Sequence, residues 1–403
     1  MRLGRDQQIV PVMTFHSVGM RCGQWACAHL SERAEVFERL LQRLSRRGYR
    51  TVSLQALYSH MTGDQICPPK SVVLVFDDGY LDNWVTVAPL LKKYGMQGAV
   101  YVNPDFVDPG TKLRPTIDDA DPSGSSSGSL EQKGFMNWPE LRALDKSGLL
   151  DVQSHSLSHT WYFVGPGVVD CYSPQSARKF PWMSWNAMPE RKPYYLSEDQ
   201  TDFVPWGTPV LEHEKSIVAR RFLPEVDAMS DVAEMVEKQG DIGFFGAPDW
   251  QDRYREILSD VTGGGPFPGV FETEEQCEER VRRELAESKA IIERELDKVV
   301  DFLCWPGGGV NEAAKRMARD VGYKSWTLPG GDSSSKRNVP NSDPSEIKRV
   351  PAMRDVHFFG RVWGRGTDIL MYLDLMSHQE SRFFDTLRKA YKLAVALAIA
   401  GHK

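Results

Sequence analysis

Residues 72–80 read VVLVFDDGY, an apolar run that ends in two adjacent carboxylates and a glycine. An uninterrupted apolar run of this length predicts a strand that is buried on both faces. Neighbouring strand residues point to opposite faces, but the chain turns at the end of a strand, so Asp77 and Asp78 can both face one cavity. We expect one carboxylate to bind a metal ion and the other to act as a base. A helix N-cap followed by an acid in the first turn is the alternative interpretation.

Residues 151–159 read DVQSHSLSH and again follow an apolar strand pattern. His155 and His159 are four residues apart, a spacing that places two imidazoles on one face of a helical turn, where both can bind one cation. Two polar residues that cap a turn would show the same spacing. Together with a strand-end aspartate, the pair makes up the two-histidine, one-carboxylate set typical of a hydrolytic metal ion with open coordination positions.

Apolar strand patterns alternate with amphipathic helical patterns along most of the chain. The predicted strands are 9–15, 72–76, 99–102, 149–153, 302–305 and 324–328, and the predicted helices are 32–47, 82–94, 139–146, 272–298 and 311–320. Strands that are followed by helices predict an α/β fold with a parallel sheet or barrel. The acidic helix 272–298 is expected to be a solvated helix with one packed face and no chemical role.

The composition is that of a folded, mildly acidic protein. The chain has 403 residues, of which 41% are hydrophobic and 10% aromatic, and its 49 Lys and Arg against 55 Asp and Glu give a net charge of −6. This aromatic content excludes a disordered chain. The negative charge gives no reason to expect binding along a nucleic-acid backbone. The length allows two or three domains, or one large barrel with insertions.

Two stretches interrupt the alternation. Residues 118–129 are rich in Ser, Gly and Asp and are expected to form a solvated loop. Residues 161–271 are predicted to be a long insertion that forms a lid or a substrate-binding region, between barrel parts at 1–160 and 272–375. Its aromatic residues can stack on sugar faces or pack in an ordinary core; they include Trp161, Trp182, Trp185, Tyr194, Tyr195 and Trp206.

These motifs resemble those of the polysaccharide deacetylases with the NodB-homology fold, carbohydrate esterase family four. The usual TFDD motif appears as VFDD at residues 75–78 and is followed by Gly and Tyr, and the H[ST]xxH motif is intact at residues 155–159. The family's proline-containing turn after a strand is matched by FLCWPGG at residues 302–308, and VMTFHSV at residues 12–18 is similar to its first strand. The resemblance covers residues 9–160 and 272–351.

The resemblance implies a distorted (β/α) barrel with a metal site at the carboxyl ends of the strands, the functional face of such barrels. It implies that Asp78, His155 and His159 bind the metal ion and that Asp77 is the general base. It also implies that the backbone N–H of Gly307 donates to the oxyanion. Zn²⁺ is the expected ion for this ligand set, and Co²⁺, Ni²⁺ or Fe²⁺ would suit it as well.

The sequence departs from the family pattern at two places. Cys304 stands where many members have an arginine that orients the base, and Arg349 is the first candidate to replace that arginine. No histidine stands in the family's usual LxH context to act as general acid. The candidates are His357, which has the right order in the chain, and His213, which lies inside the insertion. Substrate contacts are expected of His16, Tyr80, Trp305 and Pro306.

We expect a metal-dependent hydrolase that removes an N-acetyl group from an N-acetylated amino sugar or glycan. An amidohydrolase that acts on a small imide, ureide or formylated sugar would use the same fold and metal, because a fold does not fix the substrate. A noncatalytic carbohydrate-binding scaffold is the alternative from a different class. A pure binder, however, has no need of a free carboxylate such as Asp77 beside a metal ligand.

The sequence predicts a cytoplasmic protein with at most weak peripheral contact with a membrane. Residues 1–8 show no signal-peptide pattern, and no apolar stretch approaches the length that spans a bilayer. The six cysteines are scattered, without a CxxC motif, and indicate a reducing compartment. Residues 376–403 are predicted to form a C-terminal helix, which docks on the protein or rests on anionic lipid through its cations and the apolar stretch 393–400.

Overall fold

The computed structural model describes residues 8–20, 28–119, 130–328, 337–352, 355–358, 361–365, 367–379 and 382–400. The chain forms two compact units. The first comprises residues 1–156, 288–308 and 322–403, and the second comprises residues 157–287 and 309–321. The division falls inside the HSLSH segment, between Ser156 and Leu157. Most of the predicted Ser- and Gly-rich loop, residues 120–129, lies outside the described residues.

The helices and strands predicted from the sequence are present. Their ends differ by up to three residues when the π-helical turn Asn83–Val87 is counted with the helix that follows it. The strands of the described chain are β1 (Val12–Phe15), β2 (Ser17–Val18), β3 (Ser31–Glu32), β4 (Arg50–Thr51), β5 (Ser71–Phe76), β6 (Gly98–Val102), β7 (Leu150–Ser154), β8 (Trp161–Cys171), β9 (Pro209–Lys215), β10 (Phe222–Pro224), β11 (Gly269–Phe271), β12 (Phe302–Leu303), β13 (Ser325–Thr327), β14 (Glu346–Ile347), β15 (Val350–Pro351), β16 (Asp355–Phe358) and β17 (Arg361–Arg365). Its α-helices are α1 (Ala34–Arg46), α2 (Leu54–Thr62), α3 (Ala88–Lys93), α4 (Trp138–Ser147), α5 (Pro181–Ala187), α6 (Val226–Lys238), α7 (Trp250–Thr262), α8 (Glu274–Leu296), α9 (Glu312–Val321), α10 (Asp368–Gln379) and α11 (Arg382–Ala400). A π-helical turn, Asn83–Val87, leads into α3.

Nine of the described strands form one parallel sheet in the first unit. Its main path runs β14-β13-β12-β7-β6-β5-β1-β15, and β4 pairs with the start of β5. The edge strands β14 and β15 are joined by only two residues, Lys348 and Arg349. So short a link spans at most about 11 Å, so the two edges curl toward each other and the sheet forms a nearly closed barrel. This confirms the predicted α/β barrel.

Alternation along β5 separates the barrel interior from the face that the helices cover. Val73 and Val75 join a buried cluster that receives side chains from β1, β6 and β14. Phe76 points the other way, where its ring centroid lies 5.8 Å from that of Phe37 in α1. Because strand side chains alternate, the next residue, Asp77, continues the interior face. The barrel core therefore ends in a carboxylate.

The second unit has a core of its own. Strands β8 and β9 pair antiparallel, as do β10 and β11. Helices α6 and α7 contribute to a buried cluster with these strands, which includes Leu211, Phe222 and Val232. Trp182 and Trp185 are also buried. Short antiparallel strands and helices in residues 161–271 therefore bury aromatic residues of the insertion, and its role as a lid or a substrate-binding region stays a prediction.

The C-terminal region contains two helices rather than one helix that starts at residue 376. Helix α10 packs against α1, where Arg43 Nη2 donates to Asp368 at 2.6 Å. Helix α11 exposes three large apolar side chains, Phe383, Leu387 and Leu393. Within the described ranges, no helix combines the length and the apolar character needed to cross a bilayer.

Candidate metal centre

The two carboxylates after β5 take different positions at the end of the strand. Asp77 is buried, whereas Asp78 is partly exposed. The chain turns here through left-handed backbone, with φ of 74° at Asp78 and 70° at Gly79. A Cβ atom on Gly79 would lie 3.0 Å from the Val102 side chain, so both the backbone angle and the space favour glycine. This turn places the side chains of Asp77 and Asp78 in different environments although the two residues are adjacent in sequence.

Arg349 holds Asp77 from the link between β14 and β15. Its Nη1 donates to both carboxylate oxygens, at 3.0 Å to Oδ1 and 2.7 Å to Oδ2. His16 places Nε2 3.8 Å from Oδ2. Burial alone would raise the pKa of Asp77, but Arg349, His16 and His155 together hold that pKa below its ordinary value. Asp77 is therefore ionised at neutral pH, and Arg349 lies beside it as the sequence predicts.

The two motif histidines lie in a loop, and the prediction of a helical turn is wrong. Residues 155–160 are not helical, and Ser156 and His159 have φ of 62° and 43°. Residues other than glycine rarely adopt this backbone conformation. Asn103, at the end of β6, stabilises the loop because its Nδ2 donates to the carbonyls of His155 and Ser156. Side-chain hydrogen bonds, rather than helical geometry, set the positions of the histidines.

Asp78, His155 and His159 each offer one ligand atom, and these three atoms lie within 4.8 Å of one another. Asp78 Oδ1 is 3.2 Å from His155 Nε2. The other ring nitrogen of His155, Nδ1, lies 2.8 Å from the Cys304 carbonyl oxygen. A carbonyl only accepts, so Nδ1 carries the proton and Nε2 is left to bind a cation. Two imidazoles and one carboxylate at these separations fit a divalent ion of the zinc type.

A second group, Asp77, His155 and Cys304, also has ligand atoms within 4.8 Å of one another, and all three residues are buried. It shares His155 with the first group. The Arg349 guanidinium already neutralises Asp77 and would repel another positive charge at this short distance. The group that contains Asp78 is therefore the better cation site.

The electrostatic environment of His155 favours positive charge. Burial lowers the pKa of His155, but Cys304, Asp78 and Asp77 raise that pKa well above its ordinary value. An imidazole whose charged form is stabilised in this way marks a site of negative potential. A divalent cation can supply the positive charge in place of the proton.

The proline-containing turn has a left-handed backbone at Gly307, a conformation that favours glycine. Pro306–Gly308 forms one short 3₁₀ turn in which Gly307 has φ of 54°. Gly307 is exposed, whereas the side chains of Trp305, Pro306 and Tyr80 are buried in the core of the first unit. The oxyanion role of Gly307 and the substrate contacts of the other three residues stay predictions.

The two candidate general acids lie in different units. His213 is on β9, with its ring centroid 5.5 Å from that of Phe180 and 5.0 Å from that of Trp182, and its Nδ1 is 2.8 Å from a carbonyl oxygen of its own strand. His357 is on β16, where its backbone pairs with Val362. The His357 side chain lies outside the description. The catalytic role of both residues stays a prediction.

Helix α8 carries a buried acid that its charged sequence conceals. Glu284 Oε1 accepts hydrogen bonds from Ser158 Oγ at 2.7 Å and from Ser216 Oγ at 3.1 Å. Lys192 Nζ donates to the Ser158 carbonyl at 3.0 Å. All four residues are buried, and they fix the backbone next to His159 within the second unit. Glu284 is thus a positioning residue that the sequence analysis missed.

Comparisons with known proteins find similarity to polysaccharide deacetylases. Residues 64–186 match the family model described as polysaccharide deacetylase. A Bacillus subtilis (strain 168) protein whose name places it among the polysaccharide deacetylases is 30% identical over 93 residues, which are 23% of this chain and 31% of that protein. The poly-beta-1,6-N-acetyl-D-glucosamine N-deacetylase of Escherichia coli (strain K12) is 26% identical over 113 residues, which are 28% of this chain and 16% of that protein. This chain spans less than a third of the length of these relatives.

Two solved structures align with much of this chain at low sequence identity. The BpsB deacetylase domain from Bordetella bronchiseptica is 17% identical with a TM-score of 0.49, over 87% of this chain and 98% of that one. A de-N-acetylase from Aggregatibacter actinomycetemcomitans is 17% identical with a TM-score of 0.49, over 85% of this chain and 94% of that one.

Removal of either histidine ligand should abolish zinc binding. Two remaining ligands hold Zn²⁺ poorly, so we expect His155→Ala and His159→Ala to lose stoichiometric zinc on dialysis, as measured by mass spectrometry of the metal content. His213→Ala is the matched control and should keep its zinc. If a folded His155→Ala or His159→Ala protein retained one equivalent of zinc, the assignment of the centre would be wrong.

Removal of Arg349 should destabilise the protein through Asp77. Arg349→Met leaves a buried carboxylate without its counter-ion, and we expect a loss of about 3–5 kcal/mol in the free energy of unfolding at pH 7, measured with urea. Because the pKa of Asp77 is lowered in the folded state, the pair stabilises the protein above the unfolded pKa of about 3.9, and this stabilisation disappears as the pH falls through the lowered folded value.

A double-mutant cycle separates this effect from lost packing. Asp77→Asn with Arg349→Met should cost less than the sum of the two single variants, because the buried charge is gone. Lys93→Met removes a surface partner of Glu38 and should change stability much less. If the loss of unfolding free energy in the double variant equalled the sum of the losses in the two single variants, Asp77 and Arg349 would not be energetically coupled.

Proposed function

We propose that this chain, of which residues 64–186 match the polysaccharide deacetylase model, is a metal-dependent hydrolase that removes the N-acetyl group from an N-acetylated amino sugar of a glycan. One observation carries the proposal: a two-histidine, one-carboxylate group lies next to a second carboxylate that a buried arginine keeps ionised. A binding scaffold needs no such second carboxylate. Metal-assisted amide hydrolysis uses both a Lewis acid and a base.

Asp78, His155 and His159 are the residues that would hold the metal ion. Their donor atoms are the nitrogen and oxygen ligands that Zn²⁺ takes in catalytic sites, where three protein ligands leave room for substrate. When bound, such an ion supplies a Lewis acid that polarises a carbonyl group and lowers the pKa of water. The same donor set suits Co²⁺, Ni²⁺ or Fe²⁺, so the proposal names zinc as the first ion to test.

Asp77 is proposed as the general base. It follows the last interior residue of β5, so its carboxylate is fixed by the barrel rather than by a loop. Arg349 holds both of its oxygens and keeps its pKa low, which leaves the carboxylate ready to accept a proton from an attacking water. His16 is partly exposed, and its Nε2 lies 3.8 Å from Asp77 Oδ2. We propose that substrate or water contacts His16 next to the Asp77 carboxylate.

The substrate class is proposed from the relatives. The Escherichia coli relative is named for a polymer of N-acetylglucosamine, whose acetamide group offers the amide bond that this set of residues can hydrolyse. We propose an N-acetylated glycan or its oligosaccharide fragment for this chain. The backbone N–H of Gly307, an exposed residue in a left-handed turn, is the proposed donor to the oxyanion, and a glycine has no Cβ atom that could obstruct it.

The test is acetate release from N-acetylglucosamine oligosaccharides by the zinc-loaded protein. Asp77→Asn should retain one equivalent of zinc and lose turnover by roughly 10²–10⁴-fold, the usual contribution of a general base. Asp301→Asn, which changes an aspartate at the amino end of β12, should keep the activity of the parent protein. An active Asp77→Asn protein would exclude Asp77 as the base. Loss of zinc from this variant would mean that Asp77 is a ligand instead.

We propose a reducing, cytoplasmic location with weak membrane contact through α11. Cys67, Cys171, Cys277 and Cys304, the cysteines in the described residues, are free thiols, which supports a reducing compartment. The exposed apolar side chains of α11 support an amphipathic contact with anionic lipid.

Salt dependence tests this contact. The protein should sediment with phosphatidylglycerol vesicles at low salt and be released at high salt, because attachment by a few cations is screened. Phe383→Ser with Leu387→Ser should abolish sedimentation, whereas Leu113→Ser, at another exposed leucine, should not. The absence of vesicle binding at low salt would exclude the membrane contact. Recovery of the native protein outside the cell would exclude the cytoplasmic location.

A further inference from the structure

The second unit contains a cavity of about 530 Å³ that no step of the proposed function uses. We call it the insertion cavity. Its walls are mainly aromatic and aliphatic and come from β8, α5, β10 and α6; they include Tyr162, Phe163, Trp182, Phe222 and Met229. The volume lies within the range of about 300–1,000 Å³ that is typical of small-molecule sites. The cavity is therefore large enough for a ligand of its own.

The entrance to the insertion cavity is apolar. Leu223 and Val226 line the cavity and are 39% and 76% exposed. Apolar side chains left in water at the mouth of an apolar cavity are stabilised when hydrocarbon covers them. The rim thus favours a ligand with an apolar body.

Two polar side chains in the wall, Thr208 and Asn186, already form hydrogen bonds within the protein. Thr208 Oγ1 donates to the Pro205 carbonyl at 2.7 Å. Asn186 Oδ1 accepts from Thr160 Oγ1 at 2.7 Å, and its Nδ2 donates to the Trp161 carbonyl at 2.9 Å. A sugar that entered would give up hydrogen bonds to water without gaining equivalent partners, which costs free energy for each hydroxyl. The wall therefore favours a hydrocarbon chain over a sugar.

Arg221 adds one positive charge to this apolar wall. Its guanidinium carbon lies 4.1 Å from the centroid of the Tyr162 ring. Its Nε is buried without a hydrogen-bond partner. Glu272 Oε1 accepts from the Arg221 backbone N–H at 2.8 Å, but the salt bridge of Glu272 is with Arg280, and none of the described residues that line the cavity is acidic. Arginine is always charged, and a partly buried guanidinium without a carboxylate attracts an anion. A ligand with an acidic head would provide it.

We propose that the insertion cavity binds the alkyl chain of an anionic amphiphile, with Arg221 beside its acidic head group. The chain replaces water along the aromatic wall, and the head remains near the cavity mouth. This site stands on the second unit alone and does not depend on the proposed deacetylase activity.

Binding of a fluorescent long-chain carboxylate, cis-parinaric acid, tests the proposal on the full chain. Saturated carboxylates should displace the probe with an affinity that rises about fourfold per added methylene until the cavity is full. Met229→Trp, which narrows the cavity, should weaken binding by tenfold or more. Met235→Trp is the matched control, because Met235 lies on the same helix and packs on the same core but does not line the cavity. Equal binding by both variants would overturn the proposal.

A charge test does not depend on how well the Met229→Trp protein folds. Arg221→Gln should weaken binding of the carboxylate by about tenfold and leave binding of the alcohol of equal chain length unchanged. Arg220→Gln, at the neighbouring position, should change neither. Displacement of the probe by N-acetylglucosamine oligosaccharides, or an equal loss of carboxylate and alcohol binding in Arg221→Gln, would show that the cavity is not an amphiphile site.

The alkyl chain that binds in the cavity can belong to a free amphiphile or to a membrane lipid, and a vesicle titration distinguishes these two sources. If the ligand is a free monomer, the probe should bind in solution and Met229→Trp should sediment with phosphatidylglycerol vesicles as the parent does. If the chain belongs to a membrane lipid, Met229→Trp should reduce sedimentation relative to Met235→Trp. Absence of both probe binding and an effect of Met229→Trp on sedimentation would overturn the proposal.

Discussion

The buried ion pair between Arg349 and Asp77 connects the closure of the barrel with its chemistry. Arg349 lies in the two-residue link between the edge strands β14 and β15, and Asp77 ends the interior face of β5. A buried carboxylate is costly unless a cation and hydrogen bonds compensate it, and Arg349 reaches both of its oxygens. The link that closes the sheet therefore supplies the positive charge that stabilises the buried Asp77 carboxylate at the functional end of the sheet.

The same ion pair gives the two adjacent carboxylates, Asp77 and Asp78, different electrostatic environments. Asp77 is neutralised by Arg349, so a cation gains little there, whereas Asp78 faces the two histidines. The division requires a sharp turn directly after the strand, and left-handed backbone at Asp78 and Gly79 provides it. Unfavourable backbone angles also occur at Ser156 and His159, on the other side of the centre. Strain of this kind persists where the surrounding structure overdetermines it, and functional sites are the usual place.

Much of the barrel could be predicted from the sequence because it depends on local patterns, and these patterns also nominated two aspartates and two histidines at strand ends. The family resemblance alone implied that Asp78 is the ligand and Asp77 the base. The apolar run before Asp77 and the alternation of strands with helices are visible in single segments. Arg349 could be nominated because a cation was required near the base. Its contact with Asp77, 272 residues away, depends on barrel closure, which no local pattern encodes. The helical turn predicted at His155–His159 failed because Asn103, on another strand, holds that loop.

Glu284 shows the limit of charge patterns. In a helix with many acids, its position three residues after buried Val281 placed it on the packed stripe, yet its charge was taken as a sign of solvent. A buried glutamate is stable there because Ser158 and Ser216 donate to it. The buried Nε of Arg221, by contrast, has no hydrogen-bond partner, and Glu272, which accepts from the Arg221 backbone N–H, forms its salt bridge with Arg280. A carboxylate held by two hydroxyl donors contrasts with a guanidinium nitrogen that lacks an acceptor beside an apolar cavity, and the proposed anionic ligand rests on this contrast.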